Sequence, residues 1–146
     1  MPHDRAAVLL DTAYVYARVN VGDQWHKAAL QWEERLSTSR RPLVTTEFVL
    51  IEIADGLAAI KFRLQAGAII AALQASSLVE VVPATSALFE AASAMYRNRA
   101  DKDWGLTDCS LFVIMAERVL TEALTTDTHF QQAGYRAILL EAVGNE

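Results

Sequence analysis

Four carboxylates stand at positions where they could meet and do chemistry together. Asp11 and Asp127 each directly follow a predicted strand, Glu52 lies within a predicted helix, and Asp108 stands at the start of another. Oxygen-only ligands of this kind favour Mg²⁺ or Mn²⁺ over zinc. Such ions activate a water molecule and stabilise the leaving oxygen of a phosphodiester, so the acids indicate metal-assisted phosphodiester hydrolysis.

Each of these acids also has a purely structural explanation. Asp11, Asp108 and Asp127 could each be the N-cap of the helix that follows. Glu52 could form a buried salt bridge with an arginine. However, Glu52 falls in the apolar stripe of its helix, where a carboxylate is costly without a cation, a metal or a proton. Glu52 therefore favours a functional site more strongly than any single aspartate does.

Strands and helices alternate along the chain. The predicted strands cover residues 6–10, 43–45, 78–82, 123–126 and 137–140. The predicted helices follow Asp11 and cover about residues 25–36, 47–60, 62–73, 86–97 and 107–120, with a short helix before Gly134. This alternation predicts an α/β fold with a central parallel sheet and helices on both faces. The functional crevice of such a sheet lies outside the carboxyl ends of its strands, where Asp11 and Asp127 stand.

The composition is that of a single globular domain. A chain of 146 residues that is 53% hydrophobic and 21% charged can bury a core, and we expect residues 1–146 to form one domain. The longest apolar stretch, 66–73, is too short to span a membrane, and the N-terminus lacks a signal-peptide pattern. We therefore expect a cytoplasmic protein without membrane contact.

Neither cysteine nor histidine indicates a metal site. The lone Cys109 excludes an internal disulfide and a cysteine-based zinc site, and it lies in an apolar helical pattern that predicts burial. The three histidines are scattered and show no HxxxH or HExxH spacing, so a histidine-rich site is not expected.

The net charge of −5 is a mild objection to a nucleic-acid partner. Four acids gathered in one pocket would hold much of that charge, and bound divalent cations would reverse its sign there. Six basic residues could guide RNA to such a pocket, or could simply be solvated: Arg18, Arg40, Arg41, Arg97, Arg99 and Lys102. Trp104 and Phe130 lie beside the acids in sequence and could stack on a base, although packing is the simpler explanation.

Four segments of the chain resemble the PIN domain family, and most of all its VapC-type toxins. They are VLLDTAYVYARVN, TTEFVLIEIADGL, DKDWGLTDCSLFVIM and ALTTDTHFQQAGY, and the resemblance covers nearly the whole chain. It places the family's catalytic and metal-binding acids at Asp11, Glu52, Asp108 and Asp127. It also implies an accessory role for Asp103 and an orienting role for the hydroxyl of Thr126.

The resemblance implies a three-layer α/β/α PIN-like fold and an endoribonuclease that depends on Mg²⁺ or Mn²⁺. Its substrate would be single-stranded or structured RNA. It further implies a homodimer and an antitoxin partner that covers the site, often by inserting a basic side chain among the acids. A toxin of a toxin–antitoxin pair is expected, with a housekeeping RNA-processing PIN nuclease as the alternative.

Three other classes of protein fit the residues less well. An aspartate-nucleophile phosphatase would need an acid two residues after Asp11, where the chain has Ala13. A signalling receiver would need a lysine at the end of a late strand, where the chain has Asp127 and Leu140-Glu141. A non-enzymatic acidic Mg²⁺-binding module would leave the acids as caps and would not explain Glu52.

Overall fold

Five parallel strands form one sheet in the computed structural model, which describes residues 6–141. The strands are β1 (Val8–Leu10), β2 (Leu43–Thr46), β3 (Val79–Val82), β4 (Glu122–Leu124) and β5 (Arg136–Ala137), in the order β3-β2-β1-β4-β5. Every pairing between neighbours is parallel. The apolar run that forms β1 lies in the middle of the sheet and is at most 1% exposed. The predicted parallel α/β fold is therefore confirmed.

Helices connect the strands and fall into two packed groups. They are α1 (Thr12–Val19), α2 (His26–Ser39), α3 (Glu47–Gly56), α4 (Ile60–Ala75), α5 (Ser86–Asn98), α6 (Leu106–Glu117) and α7 (Thr128–Gln132). Helices α1 to α4 contact one another, whereas α6 contacts α5 and α7. Parallel crossovers are almost always right-handed, so the reversal of strand order after β3 sends the second group to the opposite face of the sheet. This gives the α/β/α layering.

The strand order creates a crevice between β1 and β4. The chain moves outward from β1 to β3 and then returns to place β4 on the other side of β1. Connections after β1 and β4 therefore leave in opposite directions, which opens a space at the carboxyl ends of these strands. Asp11 follows β1 directly, and Asp127 follows β4 after two threonines.

Several predicted elements have other ends than the observed ones: the strands predicted over 6–10 and 123–126 are Val8–Leu10 and Glu122–Leu124, and the helix predicted over 107–120 is Leu106–Glu117. Two further differences change the local structure. The helix predicted over 47–60 ends at Gly56, and a short turn separates it from α4. A Cβ atom at position 56 would lie 1.8 Å from the hydroxyl oxygen of Tyr16, so glycine is needed for this close approach. The strand predicted over 137–140 consists only of Arg136–Ala137, and Ile138–Leu140 form a 3₁₀ turn.

Cys109 is fully buried, as predicted. No helix within residues 6–141 has the length and apolar character needed to cross a membrane. The N-terminal pattern that argues against a signal peptide includes positions 1–5, which lie outside the described residues.

Candidate active site

Asp11 is a buried carboxylate that is not used as a helix cap. It stands at the N-cap position of α1, yet its side chain makes no capping hydrogen bond. Instead, Oδ2 accepts a 2.7 Å hydrogen bond from the hydroxyl of Thr125, and the residue is only 7% exposed. The pKa of Asp11 is raised to about 7, chiefly by burial and also by the neighbouring charges of Glu52 and Asp108, although hydrogen bonds from Thr125 and the Thr12 backbone act in the opposite direction. The capping explanation therefore fails for Asp11.

Glu52 faces the same crevice from α3. Its Oε1 accepts a 2.5 Å hydrogen bond from the hydroxyl of Thr12, the first residue of α1. Its backbone carbonyl accepts a 3.0 Å hydrogen bond from Tyr16, which ties α3 to α1. No lysine or arginine among residues 6–141 pairs with Glu52, so these residues provide no salt bridge that would explain its burial. A partly buried carboxylate held by one neutral hydroxyl can still accept a cation.

Asp108 and Asp127 meet through a histidine. The Nδ1 atom of His129 lies 3.0 Å from Oδ2 of Asp108 and 3.3 Å from Oδ1 of Asp127. Oδ2 of Asp108 also accepts a 3.2 Å hydrogen bond from the Gly105 amide, the N-cap of α6. Oδ1 of Asp127 accepts a 2.8 Å bond from the His129 amide, so Asp127 does cap α7. One ligand atom from each of the three residues lies within 4.8 Å of the other two, a spacing that could hold a metal ion.

His129 is the site residue that the sequence did not predict. Neither the HxxxH nor the HExxH spacing includes it, because its neighbours in the site are carboxylates, one of them 21 positions away. The available signal is its position two residues after Asp127, in the first turn of α7. A side chain there must lie near the same strand end as Asp127.

A threonine joins the two sides of the crevice. The hydroxyl of Thr125 donates to Asp11 and accepts a 3.0 Å hydrogen bond from the Asp127 amide. The resemblance implied this orienting role for Thr126, whose hydroxyl makes no hydrogen bond within the part of the chain that is described. Among the described residues, the hydroxyl that contacts Asp11 is therefore that of Thr125, one position before Thr126.

The structure brings Asp11, Glu52, Asp108 and Asp127 to one end of the sheet. The charges of Glu52 and Asp108 both act on Asp11, and Asp127 is linked to it through Thr125. The expected accessory residue, Asp103, is exposed in the loop before α6 and is not part of the cluster with His129.

The aromatic candidates serve packing. Phe130 is fully buried, and Trp104 is 6% exposed with its ring edge-on to Phe112 at 4.9 Å. These contacts leave neither aromatic ring available to stack on a base. Four of the six basic candidates form ion pairs: Arg18 with Glu33, Arg41 with Glu122, and both Arg99 and Lys102 with Asp101.

The donor set fits a divalent cation. Asp11 is buried, and the charges of two further acids, Glu52 and Asp108, act on it and raise its pKa. Carboxylate oxygens are the ligands that Mg²⁺ and Mn²⁺ prefer, and a bound cation would relieve this repulsion. The acids that could hold it are Asp11, Glu52, Asp108 and Asp127, of which Asp108 and Asp127 lie with His129 at ligand spacing from one another.

Comparisons with known proteins agree with this geometry. The crystal structure of Mycobacterium tuberculosis VapC20, described as a sarcin-ricin loop cleaving toxin, is similar with a TM-score of 0.76 and 26% identity, over 90% of this chain and 98% of that one. FitAcB from Neisseria gonorrhoeae shares the fold with a TM-score of 0.63 and 16% identity, over 92% of this chain and 99% of that one. No curated protein matches the sequence. The PIN domain model matches residues 8–134, and the chain therefore belongs to the PIN domain family, with a fold of the VapC type.

Proposed function

We propose that this protein is an endoribonuclease that depends on Mg²⁺ or Mn²⁺ and cleaves single-stranded or structured RNA. The observation that carries the proposal is the convergence of four acids from separate segments on one crevice, where burial and like charges raise the pKa of Asp11 to about 7. The similarity to a toxin that cleaves RNA, at 26% identity over 90% of the chain, supports the same activity.

The side chains divide the work of the site. When bound, a divalent cation supplies a Lewis acid and lowers the pKa of a water molecule that attacks the phosphodiester. Asp11, Glu52, Asp108 and Asp127 hold the cation, and Thr125 fixes the orientation of Asp11. Such supporting hydrogen bonds matter because a ligand that is free to rotate binds metal less well.

His129 has a positioning role in this proposal. Together with the Gly105 amide it occupies Oδ2 of Asp108, and the other oxygen of that carboxylate has no hydrogen bond to a described residue. Asp108 is thereby held with one oxygen engaged by the protein and the other available to a ligand.

Cleavage of a fluorogenic single-stranded RNA tests the activity. We expect cutting by the wild type with Mg²⁺ or Mn²⁺, loss of cutting in EDTA, and at least about a hundredfold loss in Asp11→Asn. Glu34→Gln, which alters an exposed carboxylate on α2, is the matched control and should cut normally. Absence of metal-dependent cutting by folded wild type on varied RNAs would favour a non-enzymatic Mg²⁺-binding module.

We further propose that the enzyme is the toxin of a toxin–antitoxin pair. The expected antitoxin would cover the crevice and place a basic side chain among the acids, where it would offset the same charge as the metal. Inducing the wild type should arrest growth of a host cell, and inducing Asp11→Asn should not. Normal growth despite RNA cleavage in vitro would instead indicate a housekeeping RNA-processing nuclease.

A homodimer is also part of the proposal. Light scattering of the pure protein should give twice the 16.1 kDa mass of the chain. A single-chain mass at all concentrations would refute it.

A further inference from the structure

An open groove lies between the end of α5 and the start of α6. Its volume is about 870 Å³, and its polar lining consists of Tyr96, Arg97, Arg99, Lys102, Asp103 and Gly105. We call it the α5–α6 groove. Gly105 belongs to this lining, and its amide donates a 3.2 Å hydrogen bond to Asp108. The groove therefore opens directly beside the acid cluster.

The groove carries positive charge that the protein only partly neutralises, since Arg97, Arg99 and Lys102 line it against the single lining carboxylate of Asp103. Asp101 pairs with Arg99 at 3.4 Å and with Lys102 at 3.7 Å, but its side chain is 62% exposed, and exposed pairs of this kind are weak. Arg97 is exposed and has neither a hydrogen bond nor an ion pair with another residue in the range 6–141. In a chain of net charge −5, this is a local basic surface next to an acidic site.

Arg99 is held in a defined position. Its guanidinium carbon lies 4.8 Å from the centre of the Trp104 ring. That ring is itself fixed, because Nε1 donates a 3.0 Å hydrogen bond to Gln132 and the ring packs against Phe112. The Arg99 side chain remains 45% exposed, so it offers a flat, preorganised cation to the groove.

We propose that the α5–α6 groove is the path along which single-stranded RNA reaches the acid cluster. Arg97 and Lys102 contact backbone phosphates, and Arg99 stacks on an unpaired base. A phosphate can replace the weak contacts of Asp101, and unpaired bases stack readily on guanidinium planes. Paired bases do not expose their faces, so the Arg99 contact favours single strands. This inference rests on the proposed ribonuclease function and answers the objection raised by the net charge.

The test compares two charge reversals that alter the net charge equally. Arg97→Glu changes the groove, whereas Arg40→Glu changes an exposed arginine just before β2, at the amino end of the sheet and away from the acids. Both are made in an Asp11→Asn background so that RNA is bound and not cut. The probe is a fluorescein-labelled single-stranded RNA of about twelve nucleotides, and binding is followed by fluorescence anisotropy with Mg²⁺.

We expect Arg97→Glu to raise the Kd about tenfold at about 0.1 M salt and Arg40→Glu to raise it less than about twofold. Arg97→Glu should also reduce the slope of log K against log salt by about 0.7 for each phosphate that the protein no longer neutralises. Arg99→Lys, which keeps the charge and removes the plane, should weaken binding of single-stranded RNA more than that of duplex RNA. Lys102→Glu gives a second charge reversal in the groove if Arg97→Glu fails to fold.

Equal weakening by Arg97→Glu and Arg40→Glu would overturn the inference, because net charge alone would then explain binding. With the catalytic Asp11 restored, unchanged KM in Arg97→Glu would overturn the groove while the ribonuclease function stood. Conversely, the wild type could bind RNA in a manner that depends on Arg97 and yet never cut it. That result would support the groove as an RNA-binding surface and refute the proposed ribonuclease function.

Discussion

Replacing Asp11 with asparagine should make the metal-free protein more stable above neutral pH while abolishing activity. In the unfolded chain this carboxyl loses its proton near its ordinary pKa of 3.8, whereas in the folded protein the pKa is about 7. The folded wild type therefore loses stability as pH rises through this range, and asparagine does not ionise. At about 1.4 kcal/mol per pKa unit the difference amounts to about 4 kcal/mol above pH 7.

The buried asparagine amide offsets part of this gain, because it is itself costly to bury. Its Oδ1 can still accept the hydrogen bond from Thr125. We therefore expect a net gain of about 2–4 kcal/mol at pH 8, or about 10 °C in Tm for a chain of this length.

Urea denaturation in EDTA between pH 4 and pH 8 measures this effect. The free energy of unfolding of wild type should fall as pH rises, while that of Asp11→Asn stays higher, and the two should converge near pH 4. Mg²⁺ should stabilise the wild type at pH 8 more than it stabilises the variant, which has one carboxylate ligand fewer. Glu34→Gln should follow the wild type throughout. A variant that is less stable at pH 8 without metal, or a gain independent of pH, would refute the argument that burial of an ionised Asp11 opposes folding.

Three further comparisons test the local architecture. Thr125→Val should lower kcat about tenfold or more, because it releases a buried carboxylate of the site. Thr126→Val should leave kcat within about twofold of the wild-type value. Equal effects of the two variants would contradict the hydrogen bonds described for Thr125. His129→Ala should weaken Mn²⁺ binding, measured by calorimetry, about tenfold. His129→Asn keeps a donor near the Nδ1 position and should restore most of the binding. If it restores none, the imidazole does not act by positioning the carboxylate. Gly56→Ala should destabilise the protein by about 1–3 kcal/mol in urea, because its Cβ would overlap a tyrosine hydroxyl. Gly67→Ala, in the open middle of α4, should stabilise it by up to about 1 kcal/mol, and a loss of stability there would contradict the structure.

The sequence was sufficient for the fold because the strands are continuous apolar runs. A segment such as Val8–Leu10 can only be a strand that is buried on both faces. Because such strands alternate with helices along the chain, few arrangements of a parallel sheet are possible. Element ends were harder to predict, since they depend on contacts between distant residues. The helix from Glu47 ends at Gly56, a position where Tyr16 leaves no room for a Cβ atom, and the residues around position 56 do not reveal that contact.

Within the site, the sequence identified the acids but not their partners. Glu52 was recognisable because a carboxylate in the apolar stripe of a helix is costly to bury without a partner. Hydroxyl and imidazole groups occur in structural positions of every kind, so the sequence gave no comparable signal for Thr12, Thr125 and His129. The choice of Thr125 over Thr126 depends on which side chain points toward β1, because successive residues of an extended segment face opposite ways. Only the position of β4 in the sheet decides this.

The place of β4 beside β1 has a consequence for how the protein is made. Asp127 emerges from the ribosome 116 positions after Asp11, and the strand before it must pair with β1 from the side that β2 does not occupy. A nascent chain that has emerged only through α5 contains Asp11 and Glu52 but neither Asp108 nor Asp127. Fragments of this kind, from interrupted translation or proteolysis, therefore lack two of the four acids, and the complete set exists only once the chain has been synthesised through Asp127.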